Sequence, residues 1–472
     1  MGAGSTRLRR LCVGAIVGLG LALLPAGASA GGVSLHTGTA TDSFGLPFTY
    51  KIEVPSPWNG TLVLYSHGYS FSPSAAADAG DPVTGAWLLS HGYALAGSSY
   101  STSGWALQQA FVDQIDTLDI FNGLGVGTPS RTIAWGHSLG GMITAGLVQL
   151  FPERFTAALP MCGVVAGGAG VWNQGLDSEF ALATLQFPGA FKLVRFTSIA
   201  DASHNFGIAS ADLAAAQGTA QGRARIALGA ALADVPGWFD PTMPEPAPTD
   251  YAAQEANQFQ WDNNPDFLFG FFGRFELEQR AGGNFSWNTG VDYRDQLSHS
   301  SDRAEVKALY AAAGLDLNKD LDTLNDTTRI AADPGAAAYV TKYITYNGEL
   351  GMPVLTMHTT GDGLVEVTDE NAYASVVRSA GDSAMLHQIF VHRAGHCTFT
   401  PAETITAFQT LIDRLNTGRW SGTSAVDLNA RAASLGPAYN ILLQPPFPAA
   451  GPGFIRFHPE SFLRPFDVRN TD

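Results

Sequence analysis

The sequence predicts an α/β protein: a mostly parallel central sheet flanked by helices, broken by a long, mainly helical insertion. Three observations carry this expectation. Short β-type runs alternate with helical-period stretches between residues 48 and 162. A Gly-x-Ser-x-Gly turn, Gly136-His137-Ser138-Leu139-Gly140, stands between one such strand and one such helix. The alternation then stops for roughly 180 residues and resumes at Met352, far beyond an ordinary loop length.

Phe48 to Pro55 alternates apolar and polar side chains in the period of a half-exposed strand, and Pro55-Ser-Pro-Trp-Asn-Gly60 ends it with turn formers. Thr61-Leu-Val-Leu-Tyr65 reads as a buried strand that runs into Ser66-His67-Gly68-Tyr69. A helix is predicted over Ala76 to Leu89, a strand over Tyr93 to Gly97, and a helix over Trp105 to Phe121, where Phe111, Ile115, Leu118 and Phe121 fall near one face. Strand Arg131 to Trp135, helix Met142 to Leu150 and strand Ala157 to Cys162 follow. Such alternation implies parallel strands joined by right-handed crossovers.

From Val165-Ala-Gly-Gly-Ala-Gly170 onward the pattern changes. Helical pieces (Arg223 to Ala233, Asp302 to Ala313), proline-rich breaks (Pro241 to Pro248) and an aromatic cluster from Phe267 to Phe275 fill a segment read as a cap over the strand ends, where open α/β sheets bind ligands. The aromatic cluster is expected to pack inside the cap. The sheet resumes at Met352 to Met357 and, after a helix around Glu370 to Ala380, at His387 to Val391; a helix from Pro401 to Asn416 closes the core. The expected division is core at 31–165, cap at 166–350, core again at 351–420, and a C-terminal wrap at 421–472.

With 472 residues, 45% hydrophobic and 14% charged, the chain can bury a large core and is not of disordered composition. A formal charge of −16 disfavours nucleic acid and anionic membrane surfaces as partners. Arg7, Arg9 and Arg10 precede an apolar run, Leu11 to Leu24, that ends at Ala28-Ser29-Ala30. This is the build of a secretory signal peptide over residues 1–30, cleaved after Ala30, and the run is too short and glycine-rich for a membrane anchor. Whether export follows the general or the twin-arginine route stays open. Cleavage removes three arginines and no acid, taking the formal charge from −16 to −19. The expected mature protein is secreted, and Cys162 and Cys397 are its two cysteines.

The Gly136 to Gly141 stretch resembles the nucleophile elbow of the α/β-hydrolase superfamily, in a spelling common among lipases and esterases. The resemblance covers roughly residues 45–165 and 350–417 and implies the α/β-hydrolase fold, with the cap inserted between strands 6 and 7. A serine hydroxyl needs a general base in hydrogen-bond reach and an acid to orient that base. In this superfamily's order, Ser138 is followed by Asp362, in His358-Thr-Thr-Gly-Asp362, and then by His396, in Arg393-Ala-Gly-His396, each just past a predicted strand. Glu366 and Asp369 compete with Asp362, and His392 with His396; Asp362 and His396 are preferred. The oxyanion hole is expected from the backbone N–H groups of Leu139 and of Tyr69, with Gly68 the next choice for the second donor. His137 is expected at the pocket floor and His67 at a strand end, neither moving protons. If the fold is as drawn, Cys162 and Cys397 both lie at the catalytic edge of the sheet, where a disulfide would tether the His396 loop.

No metal pattern, phosphate loop or nucleotide fingerprint accompanies these residues, so no cofactor and no metal are expected. The implied activity is a secreted serine hydrolase of carboxylic esters working through an acyl-enzyme, on a small-molecule or oligomeric acyl substrate, without nucleic acid or a stable membrane anchor. The alternative is a secreted, aminopeptidase-like exopeptidase of the same fold, whose cap would hold a free amine with carboxylates such as Glu179 or Asp177. A third possibility is a catalytically dead hydrolase fold used for binding.

Overall fold

The structure, a computed structural model, describes residues 32–466. The signal peptide expected at 1–30 lies outside the described residues. Among the described residues nine strands form one sheet: β1 (Val33–Thr41), β2 (Pro47–Pro55), β3 (Thr61–Ser66), β4 (Ala94–Ser98), β5 (Arg131–His137), β6 (Ala157–Met161), β7 (Val354–Gly361), β8 (Leu386–Ala394) and β9 (Phe454–Ile455). Their spatial order is β1-β2-β4-β3-β5-β6-β7-β8-β9. Strands β4, β3, β5, β6, β7 and β8 run parallel, while β1, β2 and β9 are antiparallel additions at the two edges.

The alternation of side chains splits the sheet into two apolar faces. Leu62, Leu64, Ala94, Ala96 and Ala134 pack with helices Leu107–Gly123 and Leu139–Leu150 on one side. Val63, Tyr65, Leu95, Ile133 and Trp135 pack with helices Pro82–Ser90 and Pro401–Thr417 on the other. Burial on both faces explains why the central strands read as unbroken apolar runs.

Two expectations are corrected. The helix placed at Ala76 to Leu89 begins only at Pro82, because Asp81 caps it, its side chain accepting from Thr84 N–H, and proline suits the first helical turn. Strand β1 is an addition to the expected elements. Its threonine-rich stretch has no apolar face to reveal it, and it is held by a nine-residue antiparallel register against β2.

Between β6 and β7 the chain forms a helical insertion that starts with helix Gly168–Leu185 and ends with Pro334–Lys342. It has interiors of its own, one around Leu176, Phe180, Leu228, Tyr293 and Tyr310, the other around Leu182, Phe196, Phe267 and Phe271. It also shares the sheet's core through Trp172, Leu277, Phe285 and Val340. Glu276 and Arg280 fasten it to the segment before helix Leu107–Gly123: Glu276 accepts from Trp105 N–H, and Arg280 donates to Ser103 O. Past Thr417 the chain adds helix Ala425–Ser434 and pairs β9 with β8. Arg464 then reaches the insertion, donating to Asp177 and to Trp287 O.

Candidate active site

Strand β5 ends at His137, and Ser138 turns the chain into helix Leu139–Leu150 with φ +58, a conformation L-residues avoid. The turn is tight enough that a side chain on Gly136 would meet the Gly140 and Ser66 carbonyls, and one on Gly140 those of Ser66 and His67. Only glycine fits at either place, which is the steric content of the Gly-x-Ser-x-Gly pattern. Ser138 therefore stands at the N-terminus of a helix, where unpaired N–H groups and the helix dipole favour negative charge.

The structure brings the three residues named from sequence into contact. Ser138 Oγ lies 2.8 Å from His396 Nε2, and His396 Nδ1 lies 2.8 Å from Asp362 Oδ2. Asp362 follows directly on β7 and is buried; its Oδ1 accepts from the N–H groups of Leu364 and Val365, both at 3.1 Å. The competitors are occupied elsewhere. His392 is exposed and 3.3 Å from Glu245, Asp369 accepts from Ala166 N–H, and Glu366 lies in the pocket wall.

Behind this line stands a residue to which sequence reasoning assigned no role. His358, fully buried on β7, has Nε2 2.9 Å from Val365 O and 3.6 Å from Asp362 Oδ2, with Nδ1 3.2 Å from Glu370. Burial alone would lower this imidazole, but Glu370 and Asp362 outweigh it and raise it to about 9. A cation thus braces the Asp362 turn from below. The one sequence signal was the i, i+4 spacing of His358 and Asp362.

The N–H groups of Tyr69 and Leu139 find no acceptor among the described residues, as an oxyanion hole requires of its donors. The Tyr69 segment can approach because Gly68 lacks a side chain; a Cβ there would stand 3.3 Å from Ser138 Cβ. His67 shapes that segment. Its ring stacks on Tyr100 at 3.9 Å, Nδ1 lies 2.8 Å from Gly68 O, and Nε2 lies 3.2 Å from Ser99 O. Burial lowers its pKa. His137 lies outside the pocket lining, with its ring among Tyr65, Trp135 and Phe399. Cys162 and Cys397 are disulfide-bonded, with Cα atoms 5.4 Å apart, and Cys397 Sγ touches His396 Nε2 at 3.4 Å.

Ser138 opens into a cavity of about 110 Å³. Tyr69, Trp105, Trp172, Phe267 and Phe269 give it aromatic walls. The aromatic cluster expected inside the cap does pack there in part: Phe267 and Phe271 are buried in the cap, and Phe267 also reaches the pocket wall, as Phe269 does. Two π-helical turns, Asp262–Asp266 and Phe269–Gly273, interrupt the helix there. Pro265, which has no N–H to give the α-helical ladder, accounts for the first. The same wall holds Glu179, Asp262, Asp266 and Glu366 beside a single cation, Arg274, which is 1% exposed and stacked on Trp172 and Phe285. Glu179 lies 3.8 Å from Arg274. Asp177 faces the other way and is engaged by Tyr293, Gln296 and Arg464, so it cannot serve the substrate. Among the described residues no group of three or more His, Cys, Asp or Glu side chains is disposed to hold a metal ion.

Burial pushes the carboxyls of the cap upward: Glu179 to about 7, Glu255 to about 7, Asp262 to about 8 and Glu305 to about 9. A carboxyl raised on folding contributes stability that is complete below its unfolded value, about 4, and is lost as pH rises to its folded value. His358, raised to about 9, has the same sign, whereas His67, lowered by burial, has the opposite one. The melting temperature is accordingly expected to fall by several degrees between pH 6 and pH 9 in a calorimetric scan; a flat or rising profile would show that these carboxyls ionise freely in the folded protein.

Residues 65–169 match the prolyl oligopeptidase family. Among solved structures the chain is similar to an esterase from Aspergillus oryzae, with 13% identity, a TM-score of 0.40, and 80% of this chain and 79% of that one covered. It is also similar to the rice cell wall degrading esterase from Xanthomonas oryzae, with 13% identity, a TM-score of 0.37, and 82% and 90% covered. The o-phthalyl amidase of Xanthobacter agilis is 30% identical over 416 residues, 81% of this chain and 88% of the relative. Identity at that level, sustained over nearly the whole of the relative, means that the chain belongs to the family of the Xanthobacter agilis o-phthalyl amidase, as a serine hydrolase of the α/β-hydrolase type.

Proposed function

We propose that the chain is a secreted serine hydrolase that cleaves carboxylic esters through an acyl-enzyme. The observation that carries the reading is the continuous relay from Ser138 Oγ to His396 to Asp362, with both contacts at 2.8 Å. In the proposed cycle His396 Nε2 takes the Ser138 proton as Oγ attacks the acyl carbon. Asp362 holds the proton on Nδ1 and stabilises the imidazolium, and the N–H groups of Tyr69 and Leu139 bind the oxyanion. His396 then gives its proton to the departing oxygen, and water, activated by the same ring, releases the acid. The aromatic walls around Ser138 suit a ring or a branched chain as the acyl group.

A second reading, amide cleavage, is favoured by the family relationship, because the relative is named for removing a phthalyl group, an acyl group built on a benzene ring. The same relay serves both, since His396 can protonate a departing amine as well as an alcohol. The exopeptidase alternative is weakened by the engagement of Asp177, which leaves Glu179 beside Arg274 as the remaining carboxylate of the two named for amine recognition. Protein purified from culture medium, expected to begin at Gly31, would be offered p-nitrophenyl acetate, butyrate and benzoate, N-phthalyl amides, and amino-acid p-nitroanilides. Turnover of the aryl esters with an initial burst is expected. Faster turnover of the phthalyl amides would select the second reading, turnover of anilides alone the exopeptidase, and no turnover a binding module.

A further inference from the structure

We propose that the apolar groove outside the catalytic cavity, formed by Phe71, Ile199, Leu268, Phe272 and Phe275, binds the leaving group of the substrate and selects an apolar chain or ring there. This rests on the acyl-enzyme reading of Ser138. The groove and the cavity are separate spaces that share one residue, Tyr69. The partition between them is a cluster of three rings, with Tyr69 4.8 Å from Phe71 and 5.0 Å from Phe269, and Phe71 5.4 Å from Phe269.

The stereochemistry of acyl transfer assigns the two spaces. A tetrahedral carbon bonded to Ser138 Oγ, with its oxyanion on the Tyr69 and Leu139 N–H groups, has two substituents left, and they diverge. One enters the cavity that Ser138 itself lines. In the proposed pose the other passes Tyr69, the residue that lines both spaces. The acyl group must stay while water attacks, which suits the confined side; the alcohol must depart first, which suits the side open to solvent. The groove is apolar where solvent would favour polar groups: Phe71 is 50% exposed and Ile199 57% exposed. Its rim is fixed, because Glu276 and Arg280 are tied to Trp105 and Ser103. An occupant with a hydrocarbon body therefore removes apolar surface from water on both partners without first ordering the wall.

The test is a series of benzoate esters with one acyl group and n-alkyl alcohols from methyl to hexyl. In the wild-type protein kcat/KM is expected to rise by about tenfold or more along the series, as added methylenes are partly buried. Ile199→Asp, and separately Phe272→Ser, is expected to lower the hexyl-to-methyl ratio at least threefold. The loss should fall on kcat/KM and not on the deacylation rate read after the p-nitrophenyl benzoate burst, because the leaving group has gone before deacylation begins. A flat wild-type series would overturn the proposal. So would variants that slow deacylation, which would make the groove an acyl site, or variants that keep the wild-type ratio, which would leave the groove to a second copy or a lipid surface. Ile199 is exposed, so its substitution leaves a folded protein even if Phe272→Ser does not. Absence of any fluorophosphonate adduct on Ser138 would instead refute the acyl-enzyme reading beneath.

Discussion

His396→Ala is expected to lower kcat on the order of 10⁶-fold with KM little changed, and Asp362→Asn on the order of 10⁴-fold. The asymmetry follows from the geometry. His396 is the one group placed 2.8 Å from Ser138 Oγ to take its proton, and without it the hydroxyl must attack unassisted. Asp362 acts one bond further away, through the 2.8 Å contact to His396 Nδ1. An asparagine there can present an N–H where a proton acceptor is needed and so favours the tautomer that cannot accept from Ser138. Its other oxygen holds the Leu364 and Val365 amides, so part of that loss will come from loosening of the turn that His358 braces. Steady-state kinetics on an aryl ester, with circular dichroism to establish folding, check both values. A fall of less than about a hundredfold in His396→Ala would mean that another base serves Ser138.

Replacing Cys162 and Cys397 together by alanine is expected to cost both stability and rate. The bond closes a loop between residues 235 apart in sequence, and constraining so long a loop in the unfolded chain is worth about 5 kcal/mol by chain entropy. Its position couples that constraint to chemistry, since Cys397 follows the proposed base and Cys162 follows β6, whose neighbours are β5 and β7. Without the bond the His396 loop is still held by Thr359 Oγ donating to Gly395 O and by Gly395 N–H donating to Gly361 O. A drop in kcat of about ten- to a hundredfold is therefore expected rather than abolition, because displacement of a catalytic group by about 1 Å is costly. Urea unfolding measures the first effect and ester turnover the second. A destabilised variant with wild-type kcat would show that those two hydrogen bonds alone set the loop.

What was legible in the sequence was whatever rests on local rules. The elbow announces itself because its glycines are demanded by carbonyls that leave no room for a Cβ. Asp362 and His396 stand out because each lies just past a predicted strand, in the Ser-Asp-His order that the resemblance implies. The cysteine pairing followed from placing both residues at one edge of the sheet. What stayed hidden depends on contacts across the fold. Strand β1 has no apolar alternation and exists because β2 pairs with it. His358 is an ordinary strand histidine until Glu370, from a following helix, is packed against it. Asp177 and Glu179 sit two residues apart on one helix, about 200° around it, so one meets Arg464 from the chain's end and the other faces the pocket. No local pattern separates them.

The account stands on Ser138 being the nucleophile that His396 activates, and intact mass after treatment with a fluorophosphonate tests this most directly. One adduct per chain, mapped by peptide sequencing to Ser138, is predicted for the wild-type protein. No adduct is predicted for Ser138→Ala, and labelling slowed by several orders of magnitude for His396→Ala. An adduct on another residue, or labelling of Ser138 at the wild-type rate without His396, would contradict it.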